Sequence, residues 1–232
     1  MFRYAAVNLL VILLPALMLA QEALPKTPVD SLYREDQLYF GFTYNLFLGK
    51  PVGMNPRGLT GGLHAGYLRD MPINKKRNVA VAAGAGVSFN RYGQNLFVGE
   101  TPADESIFTV IDDDLSIDFN RFSTAEIEIP IEFRWRTSTA TTYKFWRVYA
   151  GVRAGYVYWY RAFFSQPGNR VSQTDIPEFD RMQLAATLSF GNSNINFFGY
   201  YSITPLFKGA VATTGENFNL RTLRLGILFY FL

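Results

Sequence analysis

Charged side chains recur at intervals of an even number of residues in two consecutive stretches of the chain, residues 122–136 and 146–161. Carboxylates and guanidinium groups on one side of such stretches could act as acid–base or proton-relay groups, or they could form ion pairs that only stabilise the structure. The residues that carry this choice are Glu126, Glu128, Glu132, Arg134, Arg147 and Arg153.

The spacing of these residues predicts which charges meet. If the two stretches pair as a hairpin across residues 137–144, Glu128 lies near Arg153, and Glu132 lies diagonally near Arg147. An ion in an interior of low dielectric constant needs a partner of opposite charge. We therefore expect a structural charge network that fills and rigidifies the interior, and we do not expect an open channel.

His64 is the single histidine of the chain. A hydrolase could combine it with a serine and a carboxylate, but a barrel would place such a site at its rim, and His64 falls in the middle of a predicted strand. We therefore interpret His64 as an interior hydrogen-bonding residue. One histidine also excludes a metal site built from several.

Two further patterns resemble ligand sites but lack essential parts. The acidic run Asp112–Asp114 has neither the spaced ligands nor the glycine of a calcium loop. Gly84 and Gly86 lack the third glycine and the following helix of a dinucleotide loop. The sequence thus predicts no catalytic, cofactor-binding or metal-binding residue, and we expect the protein not to be an enzyme.

The elements that position these residues are strands with one apolar and one charged face. A soluble sandwich would turn the charged face to water, whereas a transmembrane barrel turns the apolar face to lipid and the charged face inward. Both stretches exceed the ~9–11 residues that a tilted strand needs to cross a bilayer. A soluble barrel of lipocalin type is the alternative, and it would need the opposite arrangement of faces.

Eight strands of this kind are predicted, and the connections between them alternate between long and short. The strands cover residues 37–48, 59–69, 79–91, 122–136, 146–161, 181–191, 195–204 and 219–232. An even strand count with short turns at one end and long loops at the other is typical of outer-membrane barrels. The predicted fold class is therefore all-β, an eight-stranded antiparallel up-and-down transmembrane β-barrel preceded by a cleaved signal peptide.

Aromatic residues at the strand ends predict two girdles at the membrane surfaces. These residues are Tyr67, Trp135, Trp146, Phe197 and Phe231 near the expected periplasmic ends, and Tyr158 and Tyr160 near the outer ends. The small inward residues of the third strand should make room for the long side chains of the fourth. Apolar alternation within residues 92–121 predicts that the third and fourth strands continue beyond the membrane as one hairpin.

The composition sets the broad class and the domain organisation. The chain has 232 residues, 16% aromatic residues, a formal charge of +3 and no cysteine, which excludes disulfides and thiolate metal sites. So small a charge gives no indication of nucleic-acid binding. Residues 1–20 are predicted to be a signal peptide, 21–36 a periplasmic lead-in and 37–232 the barrel. Both termini should then lie in the periplasm.

Three segments resemble a known family. The run IEIPIEFRWRTSTATTYKFWRVYAGVRAGY, then YYSITPLFK at residues 200–208, then the terminal LRTLRLGILFYFL are similar to the PorT family of the Bacteroidetes. That resemblance implies an outer-membrane barrel that takes part in type IX secretion and, in gliding species, supports motility. It implies no catalytic residue and no cofactor, and it implies partners among outer-membrane or periplasmic secretion proteins besides the membrane lipid. A small passive pore or structural protein of the porin family, and a barrel enzyme acting on lipid or peptide, remain alternatives.

Overall fold

A computed structural model describes residues 35–101, 103, 105–112, 114–137 and 146–231. The predicted signal peptide, most of the predicted lead-in and most of the turn at residues 137–144 lie outside the described residues. None of the described residues belongs to a helix that is long and apolar enough to cross a membrane.

The described residues form eleven strands. In chain order these are β1 (Gln37–Leu48), β2 (Gly61–Pro72), β3 (Val79–Gly93), β4 (Leu96–Glu100), β5 (Ser106–Val110), β6 (Phe119–Arg136), β7 (Trp146–Gln166), β8 (Asn169–Gln173), β9 (Met182–Asn192), β10 (Ile195–Ser202) and β11 (Arg221–Phe231).

Eight of the described strands close into a barrel with antiparallel neighbours. Their order around the wall is β6, β3, β2, β1, β11, β10, β9 and β7, and β7 pairs back onto β6. The connections at residues 49–60, 94–118, 167–181 and 203–220 meet at one end, which we call the loop end. The last residues of β2, β6 and β9 and the first residues of β3, β7 and β10 lie at the opposite end, which we call the turn end. The predicted eight-stranded fold is confirmed.

The two faces of the wall have the polarity of a membrane barrel. Outward side chains of β6 are apolar and open, with Ile129 57% and Phe133 52% exposed, whereas the inward Glu128 and Arg153 are 0% and 1% exposed. Outward residues from Trp135 to Ala125 span ten residue steps of β6, which is about 25 Å along the axis at a strand tilt of about 40°. This height matches the apolar band of transmembrane barrels.

A β-bulge changes the faces of β7 near the loop end. Glu126 pairs with Val157 and Ala125 with Trp159, so Tyr158 has no partner on β6. The extra residue reverses the alternation beyond it. Trp159 is therefore 39% exposed beside the outward Tyr158, while Tyr160 is 3% exposed and points inward. The prediction that Tyr160 belongs to the outer aromatic girdle is wrong.

The acidic connection after β3 does not prolong the barrel strands as predicted. β3 and β6 separate at the pair Gly93–Arg121, and β4 and β5 form a two-stranded sheet of their own. Phe108 of β5 packs on Phe207 and Phe218, with ring centroids 5.2 and 5.5 Å apart. Contact with these loop aromatics thus holds β4 and β5 against the loop end.

Candidate functional site

Ten charged side chains of the described residues lie inside the barrel and alternate in sign along one continuous chain of ion pairs. From the turn end to the loop end the described residues follow the order Arg147, Glu35, Arg136, Asp70, Arg134, Glu132, Arg153, Glu128, Arg224 and Glu126. We call this chain the ion-pair ladder. Its five acids and five arginines balance, so the interior gains no net charge from it.

The loop-end half of the ladder is centred on Glu128. Arg153 Nη1 donates to Glu128 Oε2 at 2.8 Å, and Arg224 Nη1 lies 3.6 Å from Glu128 Oε1. Arg224 Nη2 donates to Glu126 Oε1 at 2.7 Å. The second guanidinium nitrogen of Arg153 lies 4.0 Å from Glu132. Each arginine therefore lies between two carboxylates on β6.

The turn-end half is centred on Asp70. Arg136 donates to both carboxylate oxygens of Asp70, at 2.9 and 2.8 Å, and Arg134 donates to Asp70 at 3.3 Å. Glu35 lies 3.7 Å from Arg136 and 3.4 Å from Arg147. Paired bonds of a guanidinium group to a carboxylate fix the orientation of both groups, so this end of the interior is held rigidly.

Aromatic rings line the ladder. Arg153 lies over the rings of Tyr39 and Phe198, at 5.2 and 4.9 Å from their centroids, and Arg224 lies 4.2 Å from the ring centroid of Tyr200. A cation over a desolvated ring is attracted to the electron-rich face. The ladder is therefore packed by rings as well as by opposite charges.

The small inward glycines make room for a tyrosine. A Cβ atom on Gly86 would meet the Tyr39 hydroxyl oxygen at 2.0 Å, and one on Gly66 would meet it at 2.5 Å. Tyr39 of β1 thus lies across β2 and β3. The small inward residues, which were predicted to make room for the charged side chains of β6, therefore make room for this ring as well.

His64 is part of a polar network rather than of a catalytic arrangement. It is 1% exposed, and its Nε2 is hydrogen-bonded to Thr43 Oγ1 at 3.1 Å. The nearby Ser88 hydroxyl donates to Glu128 at 2.8 Å, and within the described part of the chain no serine is hydrogen-bonded to His64. No group of three or more potential metal ligands occurs among those residues either.

Aromatic residues close the interior at the loop end. The ring of Tyr160 lies 4.0 Å from that of Phe179 and 6.0 Å from that of Phe122, and Phe179 in turn contacts Phe207 at 5.8 Å. The Tyr160 hydroxyl accepts a hydrogen bond from the Ile176 amide at 2.9 Å. We call Phe122, Tyr160, Phe179 and Phe207 the aromatic plug.

A family model for the outer membrane protein beta-barrel domain matches residues 19–208. The chain belongs to this family. Two solved structures of Ail, the attachment invasion locus protein of Yersinia pestis, are similar to this outer-membrane barrel at 15% and 16% identity, with TM-scores of 0.39 and 0.35. The second is a complex with the heparin analogue sucrose octasulfate. Each comparison covers 86% of this chain and 100% of the Ail chain. No curated protein sequence matches the chain.

The outer-membrane barrel brings together the six charged residues singled out from the sequence, but one of the two expected pairs differs. Glu128 and Arg153 form an ion pair, whereas Arg147 contacts Glu35 instead of Glu132. The register of the β6–β7 hairpin explains the difference. Glu132 lies opposite Gly151, whereas the predicted pairing places it opposite a residue two positions earlier in β7, next to Arg147. Arg153 therefore lies between Glu128 and Glu132.

Four ladder residues were missing from the sequence-based network. Glu35 falls in the predicted lead-in and Asp70 in a predicted turn, yet both are 0% exposed. The alternation of β2 could have found Asp70, because His64 and Leu68 precede it on the same face. Arg136 and Arg224 fall on the inward faces of their strands, so alternation also indicates both. Glu35 precedes β1, but it has the same inward parity as Gln37 and Tyr39, so the alternation would have to be extended two residues beyond the strand to find it.

The predicted girdle residues at the turn end lie on the outer wall. Their exposed fractions range from 41% for Trp135 to 59% for Trp146. Tyr67 and Phe231 lie in one row of the sheet, on either side of Leu38. At the loop end Tyr158 and Trp159 face outward. Because of the bulge, Trp159 occupies the outward position that was predicted for Tyr160.

Proposed function

We propose that this outer-membrane barrel is not an enzyme and acts through protein contacts, as an accessory component of type IX secretion. The observation that supports a contact-based role is the filled interior. The ion-pair ladder and the aromatic plug occupy the barrel from the turn end to the loop end. An interior occupied in this way is suited to neither transport nor substrate binding, so the outer surfaces of the barrel are left to carry the function.

The secretion role is supported by the resemblance of three segments to the PorT family. Two of these segments, within residues 127–156 and 220–232, include ladder residues on β6, β7 and β11. The third, residues 200–208, includes Phe207 of the aromatic plug. The resemblance thus falls on the parts of the chain that fill and close the barrel, while the partners are expected to contact the outer wall, the loops or the turns.

Deletion of the gene in its native host tests the secretion role. We expect type IX cargo to accumulate in the periplasm, and a plasmid copy of the wild-type gene to restore secretion. A periplasmic marker enzyme, assayed in the medium, checks that the envelope stays intact. Normal cargo secretion in the deletion strain would refute the role, whereas general leakage of the marker would indicate a structural role in the envelope.

We also propose that the loop end faces outward and that both termini lie in the periplasm, as the short turns of such barrels do. The chain has no cysteine, so a single introduced cysteine reports its own position. Lys208→Cys, at the loop end, should react with a membrane-impermeant maleimide on whole cells. Lys75→Cys, at the turn end, should react only after the outer membrane is permeabilised. The opposite result would reverse the orientation.

A further inference from the structure

Three arginines on adjacent strands face outward at the loop end. Arg91 of β3 and Arg161 of β7 flank Ser123 of β6 in one row, and Arg121 of β6 lies two residues nearer the loop end. Neighbouring strands are about 4.8 Å apart, so the Cα atoms of Arg91 and Arg161 are about 10 Å apart. We call Arg91, Arg121 and Arg161 the rim cluster.

The rim cluster begins where the apolar band ends. The outward row directly below the rim cluster consists of Phe89, Ala125 and Trp159, and the rings of Phe89 and Trp159 are stacked with their centroids 6.0 Å apart. The arginines start two residues beyond that row, which is about 5 Å higher along the barrel axis. This is the depth at which lipid headgroups meet the protein.

The rim cluster carries positive charge that the protein does not neutralise. Arg121 lies close enough to Arg91 and Arg161 for the like charges to repel one another. Among the described residues, no carboxylate lies within ion-pair distance of the three. Arg121 and Arg161 both lie over the ring of Phe163, at 4.9 and 5.2 Å from its centroid. The ring holds these two guanidinium groups in place without cancelling their charge.

A cleft of about 240 Å³ opens beside the rim cluster. Arg57 joins Arg91 and Arg121 in its lining. Arg57 Nη1 and Arg91 Nε are buried, and neither has a hydrogen-bond partner among the described residues. Asp118, the acid in this lining, accepts a hydrogen bond from the Ser165 hydroxyl at 3.3 Å. The lining therefore carries three guanidinium groups against one carboxylate, an excess of positive charge that favours an anion.

The apolar lining of the same cleft is exposed. Leu59 is 70% and Phe119 is 55% exposed; Phe119 lies two residues beyond Arg121, and the outward apolar band lies on the other side of the rim cluster. A ligand that carries both an anionic group and acyl chains would contact the arginines with the first and the apolar band below them with the second.

We propose that the rim cluster and its cleft bind the phosphate groups of a phosphorylated saccharolipid of the outer leaflet, of the lipid A type. Planar guanidinium groups bind phosphate through paired hydrogen bonds, and the acyl chains would lie along the band below. The proposal depends on the loop end facing outward and is independent of the secretion role.

Titration of the folded barrel with lipid in a neutral detergent tests the proposal. Trp159 lies directly below the rim cluster, so tryptophan fluorescence can report binding. The probes are bis-phosphorylated lipid A, the same lipid after enzymatic dephosphorylation, phosphatidylglycerol and inorganic phosphate. We expect bis-phosphorylated lipid A to bind most tightly. Equal binding of the dephosphorylated lipid would refute the phosphate contact, and tighter binding of phosphatidylglycerol or inorganic phosphate would refute the assignment to an outer-leaflet saccharolipid.

The decisive variant replaces the rim cluster by glutamine, as Arg91→Gln, Arg121→Gln and Arg161→Gln together. Interfacial charges of this kind contribute enough for the triple variant to weaken lipid A binding about 100-fold. Folding is checked by the shift in gel mobility on heating. If the triple variant does not fold, the exposed Arg161→Gln alone should weaken binding about 5-fold.

A control removes the same number of charges at the other end of the barrel. Arg69, Lys75 and Lys76 are exposed at the turn end, and their joint replacement by glutamine should change lipid A affinity by less than about 3-fold, because they lie on the opposite surface of the apolar band. A loss equal to that of the rim-cluster variant would show that only net charge matters and would overturn the proposal.

Discussion

Glu128→Gln removes one charge from the middle of the ion-pair ladder while nearly preserving the shape of the side chain. Glu128 is 0% exposed. It accepts hydrogen bonds from Arg153 Nη1 and from the Ser88 hydroxyl, both at 2.8 Å, and it lies 3.6 Å from Arg224. A glutamine amide would direct N–H groups at one of these donors, and two buried arginines would share fewer negative charges.

The expected cost follows from this burial. Loss of one partner from a buried ion pair destabilises a protein by about 3–5 kcal/mol, because the other charge stays desolvated. Replacing Arg153 by methionine in the same variant removes the opposite charge as well, and a buried pair replaced by neutral side chains is often nearly neutral in stability. We therefore expect Glu128→Gln to lower the free energy of unfolding by about 3–5 kcal/mol, and the double variant to recover at least about 2 kcal/mol of that loss.

Urea unfolding in lipid vesicles, followed by tryptophan fluorescence and by heat-dependent gel mobility, measures both changes. Glu105→Gln is the matched control, because Glu105 is exposed beyond β4 and its substitution should cost less than about 0.5 kcal/mol. A Glu128→Gln cost below about 1 kcal/mol, or losses that simply add in the double variant, would refute the view that the ladder stabilises the barrel as a connected unit.

Three further predictions concern packing and closure. Gly86→Ala should destabilise the barrel by about 1–3 kcal/mol in the same urea assay, because its Cβ would meet the Tyr39 hydroxyl at 2.0 Å. Gly155→Ala should be tolerated, because the atoms nearest to its Cβ lie at 3.8 Å. Equal effects of the two substitutions would contradict the packing of Tyr39. Tyr160→Ala should lower the free energy of unfolding by about 3 kcal/mol, because it removes the centre of the aromatic plug. Tyr158→Ala, on the outer wall, should lower it by less than about 1 kcal/mol. A larger loss for Tyr158→Ala than for Tyr160→Ala would contradict the bulge. Planar-bilayer recordings of the wild-type barrel should show no steady open channel, and a stable conductance would contradict a filled interior.

Alternation predicted the transmembrane strands because each of them is buried on one side and open on the other. The apolar outward positions of β6 and the charged inward positions follow directly from a period of two. The even strand count and the long and short connections then indicated a closed wall. These features depend on neighbouring residues in the sequence, and so they can be read without knowledge of the tertiary contacts.

The features that were missed depend on contacts between distant parts of the chain. The bulge at Tyr158 adds one residue to β7 only, so nothing in the local pattern shows that Tyr160 turns inward. The register of the hairpin determines whether Glu132 lies opposite Gly151 or next to Arg147. That register is set by the pairing of β6 with β7 along their whole length. Glu35 lies before the first strand, and only the closed barrel places it near Arg147.

The ion-pair ladder draws its charges from both ends of the sequence. Glu35 precedes β1, and Arg224 belongs to β11, the final strand. Until β11 pairs with β1, Glu126 lacks its ion-pair partner Arg224. The interior of the open wall then holds one more carboxylate than it holds guanidinium groups. Pairing of β11 with β1 therefore also balances the charges of the ladder, so an open wall that lacks the Arg224–Glu126 contact is electrostatically less favourable than the closed barrel.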